Sequence, residues 1–258
     1  MANYIAIITA ILHFVQALLV FILIFASPSL HSGSANFPTY LTLKEYHNTS
    51  GFSFEVRPTQ SFNVPAAICA FFMLSAVAQT IQIVWMDENY IDQIRLRYVE
   101  YSISASIMLV CIAIEVGISD IVSLVSLGIL MFETNVLGLL ADILTETTQN
   151  TWALLAHLAA WISCCAPYTM ILVQFFYNVQ NSERRPPDFV YAIVFVMALL
   201  FCSFGFVQSC DLLYQPEDEQ QKYTFKRNIA YAYDVLSLTA KTLLAWLILG
   251  PILSNAFN

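Results

Sequence analysis

One lysine stands deep inside a long apolar run: Lys241, in Asp234-Val-Leu-Ser-Leu-Thr-Ala-Lys241-Thr-Leu-Leu-Ala-Trp246. At about 1.5 Å per helical residue it lies roughly 20 Å from either end of that run, farther than a lysine stem can snorkel. Three states remain open to it: an ion pair, a neutral amine, or a covalent Schiff base with a carbonyl compound. A buried cation calls for an anion. Asp234 precedes Lys241 by two turns on the same helix face, and Ser237 precedes it by one. In an earlier apolar run, Arg97, Glu100, Ser104, Met108, Cys111 and Glu115 share a stripe about 80° wide at about 100° per residue. That stripe makes Glu100 a bundle-facing carboxylate, flanked by an arginine and a hydroxyl. Depth alone does not choose between Glu100 and Asp234 as the partner of Lys241.

Other ionisable groups sit in apolar surroundings. His13 lies beside Gln16 in the first run and reads most simply as a helix-packing group. Glu133 falls near the centre of the fourth run, where a carboxyl is protonated, lines a cavity, or relays protons. Glu115 reads as a helix-end residue near headgroups, and Asp142 and Glu146 as solvated charges at a helix end.

Positioning these groups requires seven membrane helices. The 258-residue chain is 59% hydrophobic and 11% charged, against about 25% charged in a soluble domain. A soluble core cannot hide that much apolar surface. The net charge of −8 and the lack of a basic run exclude a nucleic-acid partner; the lipid bilayer is the expected one. Seven runs reach the roughly 20 residues needed to cross: Tyr4–Ala26, Pro65–Met86, Ile91–Val116, Ser119–Ile143, Thr151–Val179, Pro187–Leu213 and Phe225–Ser254. The first has no positive n-region or cleavage site and is expected to be a retained span. Short connections make consecutive helices antiparallel neighbours in one bundle, a single domain over residues 1–258. The long first loop alternates with period two over Tyr40–Tyr46 and Phe52–Arg57, around the turn His47–Gly51, which predicts a β-hairpin on the bundle mouth. Asn48-Thr49-Ser50 within that turn matches a glycosylation sequon. All six cysteines fall in apolar runs, which argues against a disulfide framework. Lys44, Arg57, Arg184 and Arg185 on one side balance Arg95, Lys222, Lys226 and Arg227 on the other, so charge does not set orientation.

Arg97-Tyr-Val-Glu-Tyr-Ser-Ile-Ser-Ala-Ser106, Ser237-Leu-Thr-Ala-Lys241, Ile11-Leu-His-Phe-Val-Gln16 and the loop hairpin together resemble the heliorhodopsins, a family of seven-helix rhodopsins. The resemblance spans the whole chain. It implies retinal, all-trans in the dark, bound to Lys241 as a protonated Schiff base, with Glu100 as counterion and Ser104 and Ser237 as adjacent hydroxyls. It also implies a cytoplasmic N-terminus, an extracellular C-terminus and hairpin, and a homodimer. A polyene needs an aromatic sleeve, for which Trp161, Phe201, Phe204, Phe206 and Trp246 are available. The family pattern further suggests a polar proton-accepting cluster around His13, with a second histidine in the second helix. Gln79 of Leu74-Ser-Ala-Val-Ala-Gln79 stands there instead and cannot accept a proton.

Two functions follow from the resemblance. One is a light sensor that signals to an unidentified partner. The other is a light-gated or light-driven proton transporter, in which His13, Gln79, Arg97, Asp234, Glu115 and Glu133 are the proton-transfer candidates. A G-protein-coupled receptor is disfavoured: no Asp-Arg-Tyr follows the third run and no Asn-Pro-x-x-Tyr ends the seventh. A zinc hydrolase is disfavoured because His13, His31, His47 and His157 do not cluster in sequence. No enzymatic activity is expected.

Overall fold

The computed structural model describes residues 4–27, 35–47, 51–86, 89–147, 150–183, 185–214 and 216–256. Seven helices and one hairpin account for most of them: α1 (Tyr4–Ala26), β1 (Asn36–His47), β2 (Gly51–Asn63), α2 (Val64–Trp85), α3 (Tyr90–Glu115), α4 (Ile121–Glu146), α5 (Asn150–Asn181), α6 (Asp188–Leu213) and α7 (Glu219–Ala256). Each helix is long and apolar enough to cross a bilayer. The protein is an integral, multi-pass membrane protein.

In lipid every backbone polar group must be satisfied within the protein, and the helix ends show how this is done. Asn63 caps α2 by accepting from the Ala66 N–H at 2.8 Å, and Pro65 sits in the first turn, where no donor is needed. Asp120 caps α4, accepting from Ser123 N at 2.8 Å. At the end of α3, Gly117 takes a φ of +91° that lets Ile118 N return to Ala113 O at 2.9 Å, and the Asn178 side chain of α5 donates to Val116 O at 2.7 Å.

The hairpin is longer than its alternating pattern predicts, because the strands continue past the alternation into the bundle. The pairing carries a register irregularity between Pro38 and Tyr40. Asn63 Nδ2 also donates to Asn36 Oδ1 at 2.7 Å, closing the base of the hairpin. Tyr40 N donates to Ser119 O at 2.9 Å, pinning β1 to the start of α4. The sequon residues Asn48, Thr49 and Ser50 lie outside the described residues.

The bundle has two unlike halves. Toward the hairpin, α2, α3 and α7 meet through Ile68, Phe71, Leu109, Ile112, Leu244 and Ile248, all buried. Toward the opposite end the interior turns aromatic and polar, with Tyr98, Tyr101 and Tyr233 packed together. α1 turns small or polar residues inward (Ala6, Thr9, Ala10, His13 and Ala17), which allows close approach to α2 where no hydrophobic driving force brings helices together. α7 runs unbroken for 38 residues, its one proline at Pro251.

Candidate functional site

Lys241 sits at the junction of the two halves and is only 2% exposed. Its Nζ donates to Glu100 Oε1 at 2.9 Å across the bundle and to Ser237 Oγ at 3.0 Å one turn back on α7. The same Glu100 oxygen accepts from Ser75 Oγ of α2 at 2.8 Å, and the Tyr101 ring lies 4.9 Å from Nζ. Ser104, one turn along α3, is buried with a hydroxyl that has no protein partner. Of the two carboxylates that depth left open, Glu100 meets the lysine. Asp234 is instead bound to Arg97, Oδ1 to Nη2 at 2.6 Å, and to Gln79 Nε2 at 3.1 Å.

That second pair begins a buried polar chain. Arg97 donates to Gln82 Oε1 at 3.0 Å, Gln82 to Gln93 Oε1 at 2.9 Å, and Gln93 to the Met86 carbonyl at 2.8 Å, at the end of the bundle opposite the hairpin. Gln82 and Gln93 drew no notice in the sequence, because polar residues near helix ends read as interfacial. His13 is fully buried against Phe72, ring centroids 5.8 Å apart, and neither ring nitrogen has a protein partner.

Beyond Lys241 a cavity extends between α3 and α6 to α4 and α5, with Trp161, Phe201 and Phe204 on its wall alongside Tyr101 and Tyr233. Two aromatics expected there stand elsewhere. Phe206 is 63% exposed and meets the edge of Trp161 at a centroid distance of 5.6 Å, since two residues along a helix from Phe204 turn it to the opposite face. Trp246 faces α1, its Nε1 donating to Gln16 Oε1 at 3.3 Å, because five residues from Lys241 rotate it away from the cavity.

The expected roles of several carboxylates also change. Glu133 is exposed on the outer surface of α4 and lines no described cavity. Glu115 is half-buried toward the hairpin end, one oxygen buried without a hydrogen-bond partner. Asp142 is buried rather than solvated. It lies 3.6 Å from both Arg95 and Lys226, and Lys226 in turn binds Asp211 at 2.8 Å, while Glu146 pairs with Arg95 from a more exposed position. A carboxylate near a helix end is taken out of water here because cations of α3 and α7 meet it.

A family model described as Heliorhodopsin matches residues 3–253. The chain belongs to the heliorhodopsin family. No curated protein sequence matches it. Among solved structures, this heliorhodopsin is similar to a light-driven proton pump from Leptosphaeria maculans, with a TM-score of 0.56 and 11% identity over 100% of this chain and 96% of the other. At that identity the likeness shows the rhodopsin fold alone. Family and fold imply retinal as the ligand, and the cavity fits it. A buried amine, Lys241, and the unpartnered Ser104 hydroxyl belong to its lining, together with Tyr101, Trp161, Phe201, Phe204 and Tyr233. At Gly205 the wall has no side chain, and a Cβ there would collide with the Trp161 ring.

Proposed function

We propose that this heliorhodopsin is a light-sensing photoreceptor carrying all-trans retinal on Lys241 as a protonated Schiff base. The 2.9 Å contact of Lys241 Nζ with Glu100 Oε1, at the mouth of an aromatic cavity, carries the reading. Bound there, retinal supplies visible absorption and photoisomerisation. Glu100 stabilises positive charge on the lysine nitrogen in a medium of low dielectric constant. Ser75 holds the Glu100 carboxylate in place, and Ser237 accepts a second hydrogen bond from the lysine nitrogen. Asp234 is neutralised by Arg97 and leaves Glu100 as the anion in contact with Lys241.

The sensor reading is favoured over proton transport by where the polar groups lie. The buried polar chain of Asp234, Arg97, Gln82 and Gln93 lies between Lys241 and the end opposite the hairpin. In the other direction α2, α3 and α7 present Ile68, Phe71, Leu109, Ile112, Leu244 and Ile248 before Glu115 is reached. Glu133 does not fill that gap. The polar groups near Lys241 thus lie on one side of it, an arrangement that supports a sensor over a transporter. The family assignment supports a cytoplasmic N-terminus, an extracellular hairpin and a homodimer, with a signalling partner receiving the output. Flash photolysis combined with membrane-potential recording tests this. A slow photocycle without current supports the sensor, whereas a sustained photocurrent overturns it in favour of the transporter.

A further inference from the structure

A second buried histidine, His157 of α5, takes no part in the Lys241 site. Its imidazole Nε2 receives the Trp161 indole N–H at 3.0 Å and lies 2.8 Å from Ser209 Oγ. Its Nδ1 stands 3.2 Å from Gln208 Oε1, and Gln208 Nε2 donates to the Gly138 carbonyl at 2.8 Å. An indole nitrogen donates and never accepts, so Nε2 must present a lone pair. The histidine proton then resides on Nδ1 and goes to Gln208 Oε1. That orients the Gln208 amide with its NH2 toward Gly138, as observed. One tautomer and one amide orientation satisfy Trp161, His157, Gln208 and the Gly138 carbonyl, from α5 to α6 to the backbone of α4, while Ser209 spends its one proton on the Gly205 carbonyl at 2.9 Å and only abuts Nε2.

Two glycines make the arrangement possible. A Cβ at Gly205 would come within van der Waals overlap of the Trp161 ring, so that ring packs directly on α6 because residue 205 has no side chain. A Cβ at Gly138 would stand 2.9 Å from the Tyr98 ring and 3.2 Å from Gln208 Nε2. The chain ends on the cavity: Trp161, Gly205 and Gln208 all line it, on the helices across from Lys241.

We propose that His157, as a neutral imidazole backed by Gln208, is the positioning residue that fixes Trp161 as the cavity wall and thereby sets the absorption maximum. This rests on the retinal reading of the cavity. The indole, half-buried between α5 and α6, cannot rotate without giving up its hydrogen bond to Nε2. A polyene against that wall therefore meets one ring orientation. His157→Gln keeps an acceptor for the indole, whereas His157→Leu removes it at similar volume.

The test combines ultraviolet resonance Raman spectra of the indole N–H with visible spectra after all-trans retinal is added. In the unmutated protein, the component lost on Trp161→Phe is that of a hydrogen-bonded indole. His157→Leu converts it to a free indole and shifts the visible maximum, and His157→Gln restores both toward the starting values. In the Trp161→Phe background, His157→Leu produces no further shift, because the two residues act as one unit. A free-indole signal for Trp161 in the unmutated protein overturns the proposal, even should His157→Leu fail to fold. So do shifts from Trp161→Phe and His157→Leu that simply add. No pigment in the unmutated protein overturns the retinal reading instead, and the Raman signal of Trp161 still decides whether the clamp exists.

Discussion

Replacing Glu100 with glutamine keeps the volume and removes the charge nearest Lys241. The lysine Nζ, 2.9 Å from Glu100 Oε1, marks where a Schiff-base nitrogen would stand. Two unit charges at that separation interact by about 6 kcal/mol at an effective dielectric constant of about 20. At about 1.36 kcal/mol per pH unit, the full term corresponds to roughly 4 units. Glutamine can still accept a hydrogen bond, which recovers part of the loss, so a change of about 2 units or more is expected. The sign follows from which form loses its partner. Without the anion the protonated form is destabilised, so on raising pH the visible band gives way to near-ultraviolet absorption earlier than in the unmutated protein. Absorbance titration of the detergent-solubilised pigment from acid to alkali measures it directly, with a shift of the visible maximum below the transition as a second readout. Asp234→Asn is the comparison: it leaves the Arg97 cation uncompensated, which also disfavours the protonated form, but by less than loss of the carboxylate in contact with Lys241. A transition moved by less than about 1 unit in Glu100→Gln, or moved farther by Asp234→Asn, refutes the reasoning.

Lys241→Ala leaves no amine for retinal and should give a protein without a visible band when retinal is supplied, as read by absorbance before and after hydroxylamine. Asp234→Asn strands a buried guanidinium, and should destabilise the apoprotein by about 3–5 kcal/mol, seen as a lowered thermal midpoint in detergent. Gly138→Ala drives a methyl group into Tyr98 and Gln208; overpacking of this kind costs about 1–3 kcal/mol and is read in the same melt. Glu133→Gln, on the outer surface of α4, should leave photocycle rates and any photocurrent at the values of the unmutated protein, as measured by flash photolysis in voltage-clamped cells.

The spans and Lys241 could be read from sequence because both depend on distance along one helix. About twenty apolar residues define a crossing, and a lysine 13 residues from the nearer end of its run is buried whatever its neighbours. Pairings across helices could not be read that way. Glu100 and Asp234 both lay at workable depth, and the choice between them depends on how α3 and α7 rotate against each other. Residue-type reasoning put Asp142 in water, and it placed Phe206 and Trp246 around the ligand. The first failed because Lys226 and Arg95 arrive from other helices. The second was correctable, since 100° per residue separates Phe206 from Phe204. His157 was weighed only as a metal ligand, although a histidine four residues before Trp161 shares its helix face and offers its indole an acceptor.

The continuity of α7 has a mechanical consequence. Between Glu219 and Lys241 the helix contains neither proline nor glycine, and its first turns are charged. It therefore acts as a stiff rod from Lys241 to the rim of the bundle. Over roughly 33 Å of rod at 1.5 Å per residue, a tilt of about 5° pivoting at Lys241 carries Glu219 through about 3 Å. Lys226 of this rod is tied to Asp211 of α6, so the displacement loads that ion pair before it reaches the surface. A small torque at the middle of the membrane emerges as side-chain-sized travel at its edge.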